Sequence, residues 1–526
     1  MRRALEESGK PTSQKVSMPA PTRGWNARDP LASMHKADAI YLDNWFPQTT
    51  DVMLRKGWEE FATIPTDSVA VPYNIRTLMS YAAPTGADLL FACANTGIYA
   101  ITAGGYVAAP ASVLTNGAVE YINMTTSGGA FLWACNGVDN SRIFNGTTWT
   151  ELTGVSTPAL TGITTTDVTN CSIFKNRIIL CKKDSLSFYY LPLSAIAGAA
   201  AEFPLGSLFN LGGSLVATAN WTLDAGEGAD DYFVAITSKG EIAVYKGTDP
   251  SDAASFALVG IYYLGAPVGK RCFVKLGGDL CVLTVGGVFP LSKALISANV
   301  NSGGAVTDRI VKAWTAATAA HKATFGWQGV VFPEASMLLL NVPIGFDAAL
   351  NVAYSYQFVM NTVTGAWARF TNQSSECWCV HKGELFFAAH HRVRKAWTGG
   401  VDGGAVIDAR VKSAFNRLTN GATKRVTLVR PLMEGTNDVE LQLGIDMDYV
   451  NEDTPGSATS YLATVSLWDS AIWDLVTWVG SVAILKWRTV FNRPGGTVSL
   501  RLRLSARNVS LTWSATDFMV EDAGLL

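Results

Sequence analysis

The sequence predicts an all-β chain, a β-propeller of about seven blades joined to a C-terminal β-sandwich or platform that also recruits N-terminal strands. Three observations predict it. First, one phrase recurs: a short apolar run, a polar turn and a second alternating run. It reads DLLFACANTGIYAI from Asp88, AFLWACNGVDNSRIF from Ala130, NRIILCKKDSLSFYY from Asn176 and DYFVAITSKGEIAVY from Asp231. It returns as DLCVLTVGGVFPL from Asp279 and GELFFAAHHRVRKAW from Gly383, with a weaker copy, SMLLLNVPIG from Ser336, whose return strand YSYQFVMN is delayed. Successive copies start 42 to 57 residues apart, the period of four-stranded propeller blades. Second, beyond Gly403-Gly404 the strands lengthen and the phrase stops. Third, two strand-like runs precede the repeats, AIYLDNWFP and DVMLRKGW around the turn Gln48-Thr49-Thr50.

Taken in order, residues 1–24 form a polar arm without the apolar core of a secretory signal, expected to order only against a neighbour. Residues 25–69 supply strands to the platform, after a short helix starting at Asp29-Pro30 with Asp as N-cap and Pro at the first helical position. Residues 70–404 form the propeller. One helix is inserted at 307–321, where Ile310, Val311 and Trp314 share a face and Thr307 is placed as N-cap, the helix packing between two blades. Residues 405–526 form the C-terminal β domain. There Val498, Leu500, Leu502 and Leu504 alternate with Ser499, Arg501, Arg503 and Ser505, giving one buried and one wet face.

Composition narrows the function. Hydrophobic residues make up 48% and charged residues 16%, against a usual ~25% charged. That shortfall suggests a surface covered by other subunits. A net charge of −2 is not the basic excess of a protein that grips nucleic-acid phosphates. No apolar run reaches the ~18 residues of a membrane span; the best stretch, Leu475 to Leu485, is too short and follows Asp469 and Asp474.

The eight cysteines read as free, buried thiols folded in a reducing compartment. Cys93, Cys135 and Cys181 follow the apolar run in three successive repeats, and Cys281 lies inside another. Cys171 and Cys181 flank a hairpin turn near Lys175-Asn176 and could face each other across it, while Cys377 and Cys379 share one strand face.

The search for chemistry assigns no catalytic, cofactor-binding or metal residue, and the chain reads as a non-enzyme without cofactor. Of five histidines, His390 and His391 are adjacent in a turn, and His381 could approach one of them across a hairpin. Solvated turn histidines explain them better than zinc. The pair Cys377 and Cys379 lacks a second pair at zinc-finger spacing. The acidic stretch Asp224 to Asp231 lacks the order of a calcium loop. FNGTTW and TVTGAW superficially resemble sialidase turns, but Phe144 and Val363 stand where Asp is required. Trp149, Trp367 and Trp397 could stack on sugars, although their place at the ends of return strands suits a staple between blades.

The segments GWNARDPLASM, DAIYLDNWFP, DVMLRKGW, YQFVMNTVTGAWARF, ELFFAAHHRVRKAWTGG and RTVFNRPGG with SLRLRLSA resemble the tail hub or nozzle proteins of short-tailed bacteriophages, also called tail tubular or DNA-stabilisation proteins. The order arm, hairpin, repeats with one helix, β domain is similar as well. The resemblance implies a virion tail protein assembled in the host bacterial cytoplasm, a homo-hexameric ring below the portal and adaptor. Such a ring closes and then conducts the exit channel for double-stranded DNA and often carries tail fibres or spikes. A weakly acidic balance suits a conduit, and the arm, with Arg2, Arg3, Lys10 and Lys15, would reach a neighbour or the ring above. The alternative, from another class, is a receptor-binding propeller that binds or hydrolyses a glycan.

Overall fold

The computed structural model describes the chain apart from residues 1–12, 66–73, 85, 87, 225–228, 253, 297–303, 348–351, 419–422, 436–438, 451–457, 462–481, 485–486, 491 and 523–526. It is an almost entirely β protein that divides into two compact units. One comprises 60–357 and 372–396; the other comprises 1–59, 358–371 and 397–526.

The first unit is a seven-bladed propeller. Each recurring phrase forms the second and third strands of one blade, and a more polar strand precedes it on the axial side. In the first blade Ile75–Tyr81 pairs with Leu89–Ala94 and that with Gly97–Ala100. The second runs Glu120–Thr126, Gly129–Cys135, Arg142–Phe144, Trp149–Glu151. The third runs Val168–Phe174, Arg177–Lys182, Ser187–Tyr190, Ala201–Pro204. The fourth runs Leu215–Asp224, Ala229–Thr237, Glu241–Gly247, Phe256–Tyr263. The fifth has Phe273–Leu276, Asp279–Thr284 and Gly287–Pro290, and the sixth Gln328–Phe332, Met337–Asp347 and the start of Val352–Asn361. The seventh, Cys377–His381, Glu384–Ala389 and Arg392–Ala396, takes its outer strand from far upstream: Trp58–Thr63 lies against Arg392–Ala396. The ring is therefore closed by residues from both ends of the propeller sequence.

Apolar layers between adjacent blades hold the ring. Leu78, Leu90 and Ala92 of the first blade meet Cys377, Cys379 and Phe386 of the seventh. Met79, Phe91 and Cys93 meet Leu132 and Phe144 of the second. Cys135 lies between the second and third blades and Cys181 between the third and fourth. The recurring cysteine thus fills an equivalent position in each of the first three blades, and all eight thiols are free and buried. The turn at Lys175 and Asn176 is a two-residue hairpin with both φ positive, 46° and 58°. Cys171 and Cys181 do not face each other across it: Cys171 pairs with Leu180 and Cys181 with Asn170. One step of register puts the two thiols on opposite faces.

The inserted helix is Val311–His321, preceded by a 3-10 turn at Asp308–Ile310. Ile310 and Trp314 are buried, and Trp314 Nε1 donates to Thr284 O of the fifth blade at 2.9 Å. Thr307 is not a side-chain cap. Its hydroxyl accepts the N–H of Val288 at 3.0 Å instead, tying the connection to the fifth blade. The helix expected from Asp29-Pro30 is only a 3-10 turn, Leu31–Ser33, without a side-chain cap. A strand already begins at Asp38, which leaves too few residues to repay helix nucleation.

The second unit is built from both termini as two sheets. In one, Leu511–Asp522 pairs along its length with Lys424–Gly435 and on its other edge with Val52–Leu54 and Ser13–Pro19. In the other, Gly24–Trp25 runs parallel to Asp38–Asp43, followed outward by Ile407–Ser413, Val498–Ala506 and Val439–Met447. Val498, Leu500, Leu502 and Leu504 are buried and Arg503 is exposed, but Ser499, expected on the wet face, is buried at 1% with its hydroxyl donating to Ser413 O at 2.6 Å. Phe46 of the first sheet meets Phe370 of the second edge-on.

Two expectations change here. Residues 13–19 of the arm are a strand of the chain's own sheet, with Lys15 3.0 Å from Asp517; Arg2, Arg3 and Lys10 lie outside the described residues. The expected ranges 25–69, 70–404 and 405–526 also differ from the observed division. Residues 60–65 serve the propeller, and 358–371 with 397–404 serve the other unit.

Candidate functional site

The propeller axis carries a polar cavity of about 240 Å³ to which all seven inner strands or their leading residues contribute, among them Thr77, Glu120, Asn170, Thr218, Arg271, Gln328 and Trp378. Among the described residues no ladder joins two inner strands, and the backbone meets only in one isolated bridge between Arg271 and Gln328. Side chains make the other links. Gln328 Nε2 donates to Trp378 O at 2.9 Å and Gln328 Oε1 accepts Trp378 N–H at 3.0 Å, linking the sixth and seventh blades. Ser80 and His381 (2.8 Å) link the first and seventh, and Ser172 with Thr218 (2.7 Å) the third and fourth.

Arg271 crosses the axis. It precedes the inner strand of the fifth blade, yet its Nε donates to Glu120 at 3.0 Å and its Nη2 to Thr77 Oγ1 at 2.6 Å and Val119 O at 3.1 Å. In a ring of seven, the first and second blades lie opposite the fifth, so one planar guanidinium fork closes the wheel across its diameter. Burial is the largest single influence and opposes its charge, but Glu120, Cys377 and Tyr121 together outweigh it, and its pKa is raised. Sequence reading passed over this residue; a single Arg after Gly-Lys in a loop carries no periodic signal.

Glu376, just before the seventh inner strand, is 5% exposed. Burial pushes its carboxyl up to about 7, with Arg76, 3.7 Å away, acting against the shift. A carboxyl whose pKa is raised on folding stabilises the fold below its unfolded pKa, and the contribution is lost as pH rises through about 7. Glu376→Gln, neutral at every pH, should therefore match the parent near pH 4 and exceed its stability at pH 8 by up to about 3 kcal/mol. Urea melts at the two pH values measure this; an equal effect at both would contradict it.

None of the sequence candidates assembles into a reactive centre. His381 bonds Ser80 at one end of the strand Glu384–Ala389, while His390 and His391 turn at the other, so the three do not converge. Burial and then nearby arginines lower the pKa of His390 and His391. Their carbonyls accept Ile75 N–H and Ile64 N–H at 2.7 and 2.9 Å, a structural duty at the ring closure. Cys377 and Cys379 share one core layer, and burial raises their thiols to about 12 and about 11. Such thiols are poor nucleophiles and poor metal ligands. Among the described residues no group of three or more His, Cys, Asp or Glu could hold a metal ion. Of the acidic stretch Asp224 to Asp231, residues 225–228 lie outside the described residues; Asp231 pairs with Lys175.

The candidate sugar-stacking residues are packing residues. Trp149 lies against Phe91 and Phe144 with ring centroids 5.3 and 5.1 Å away. Trp367 is fully buried, and Trp397 stacks on Phe370 and meets Phe46 edge-on. Phe144 is core, between the first and second blades. Among the described residues no helix is long and apolar enough to cross a membrane.

No family model and no curated protein matches the chain. Solved structures resemble it at low identity. BBS1N, crystallised in complex with ARL6DN and soaked with mercury, has a TM-score of 0.37 at 11% identity, covering 65% of this chain and 97% of that one. Chaetomium thermophilum Raptor has a TM-score of 0.35 at 12% identity, covering 65% of this chain and 30% of that one. At such distances neither informs function, and the propeller assignment rests on the sheet order itself.

Proposed function

We propose that the chain is a structural tail protein of a short-tailed bacteriophage, the ring-forming nozzle or hub through which the genome leaves. The observation that carries this reading is the way the two termini share one body. Strands from 13–54, 358–371 and 397–522 interleave in two sheets, and the propeller is an excursion from them. A tube-forming body with a propeller appended fits the resemblance carried by residues 23–58, 354–404 and 488–506. Six copies below the portal and adaptor would make heterologous contacts. A charged content of 16% and a net charge of −2 suit subunits that cover one another and a channel that lets DNA slide.

Electron microscopy of assembled particles tests the reading. A six-fold ring of this chain on the tail axis is the expected image; a monomer or a peripheral trimer would overturn it. Deleting residues 1–12, which spares the strand Ser13–Pro19, should weaken ring assembly without changing the melting of the chain. Unchanged assembly would remove the arm from the interface.

A further inference from the structure

We propose that the axial cavity of the propeller is a binding site for a small oxyanion, a carboxylate- or phosphate-bearing solute of monosaccharide size. The cavity, about 240 Å³ and open to solvent, has room for several waters or one small solute. Its charged lining is Glu120, Lys270 and Arg271. Glu120 and Arg271 neutralise each other at 3.0 Å. Lys270, exposed and without an acidic partner among the described residues, leaves one positive charge in surplus.

A second observation points to a ligand. Asn170 lines the cavity at 7% exposure. Its Oδ1 accepts the N–H of Thr218 at 3.4 Å, while its amide nitrogen has no partner among the described residues. This N–H₂ opens onto the cavity and is free to donate to whatever occupies it. The rest of the wall is already committed: Arg271 to Glu120, Thr77 and Val119, Gln328 to the Trp378 backbone. The site therefore offers a cation and a fixed amide donor on a rigid frame and asks for an acceptor with negative charge. Because it lies wholly within the propeller, it is independent of the ring.

The test is calorimetry of the full chain at low ionic strength with D-glucuronate, inorganic phosphate and, as neutral control, D-glucose. One of the two anions should bind, which tells carboxylate from phosphate, and glucose should not. Lys270→Gln should weaken binding about tenfold or more, the loss of a charge-assisted hydrogen bond. Asn170→Asp, which keeps the acceptor for Thr218 and removes the donor, should do the same. Lys270 is on the surface, so its variant decides the matter if Asn170→Asp fails to fold. No heat from either anion at tens of millimolar would overturn the site. So would glucose binding as well as glucuronate, or undiminished binding by the Lys270→Gln variant.

Discussion

Asp402→Ala is expected to destabilise the two-sheet unit by about 3–5 kcal/mol. The cause is Arg55, whose side chain is fully buried. Its five N–H groups are all engaged: Nε with Asn44 Oδ1 (2.8 Å), Nη1 with Asp402 and Lys56 O (2.8 and 3.0 Å), Nη2 with Asp402 and Thr371 O (2.5 and 2.9 Å). Three stretches distant in sequence, around 44–56, 371 and 402, thus converge on one guanidinium. Removing the carboxylate strands a buried charge, which costs far more than the ion pair contributes in net terms. The double variant Arg55→Met/Asp402→Leu should recover only part of the loss, because it removes the stranded charge but leaves Asn44 Oδ1, Lys56 O and Thr371 O without their guanidinium donor. Denaturant unfolding with the propeller's transition as internal reference makes the comparison. A loss below about 1 kcal/mol, the range of surface pairs, would mean that the guanidinium reaches water.

The second large effect is expected at the ring closure. Ala62 is 2% exposed in Trp58–Thr63, a strand flanked on both edges, by Gly105–Tyr106 and by Arg392–Ala396. Ala62→Pro removes an N–H from a strand with ladder partners on either side and drives a ring into the layer with Ile75, Cys377 and Phe386. A cost of about 3 kcal/mol or more follows. Since this is the upstream strand laddered directly to Arg392–Ala396, the seventh blade should loosen at that edge first and become protease-sensitive there. Ala62→Gly, which keeps the N–H, should cost only about 1 kcal/mol. Equal losses for the two variants would show that closure does not depend on the ladder.

Much of the propeller was legible because its middle strands are buried on both faces. Such strands must be apolar, and the phrases at Asp88, Ala130, Asn176, Asp231, Asp279, Ser336 and Gly383 each became the second and third strands of a blade. The inner strands were hard to read for the opposite reason. Glu120–Thr126 and Val168–Phe174 put polar residues toward a wet axis and toward neighbouring blades, so their pattern is diluted. The thiols followed from packing, but Cys171 and Cys181, which the turn could have set face to face, lie on opposite faces because of a one-residue offset in register.

By itself, the sequence determined the all-β class, a propeller of about seven blades, the inserted helix and the free cysteines. These depend on local periodicity and composition, which a linear chain displays openly. Only the tertiary structure decided that Trp58–Thr63 closes the seventh blade, that Ser13–Pro19 lies against Leu511–Asp522, and that Arg271 reaches across the axis to Glu120. Each joins residues more than a hundred positions apart. Their partners are selected by burial, charge and hydrogen-bond geometry in three dimensions, which spacing along the chain does not encode.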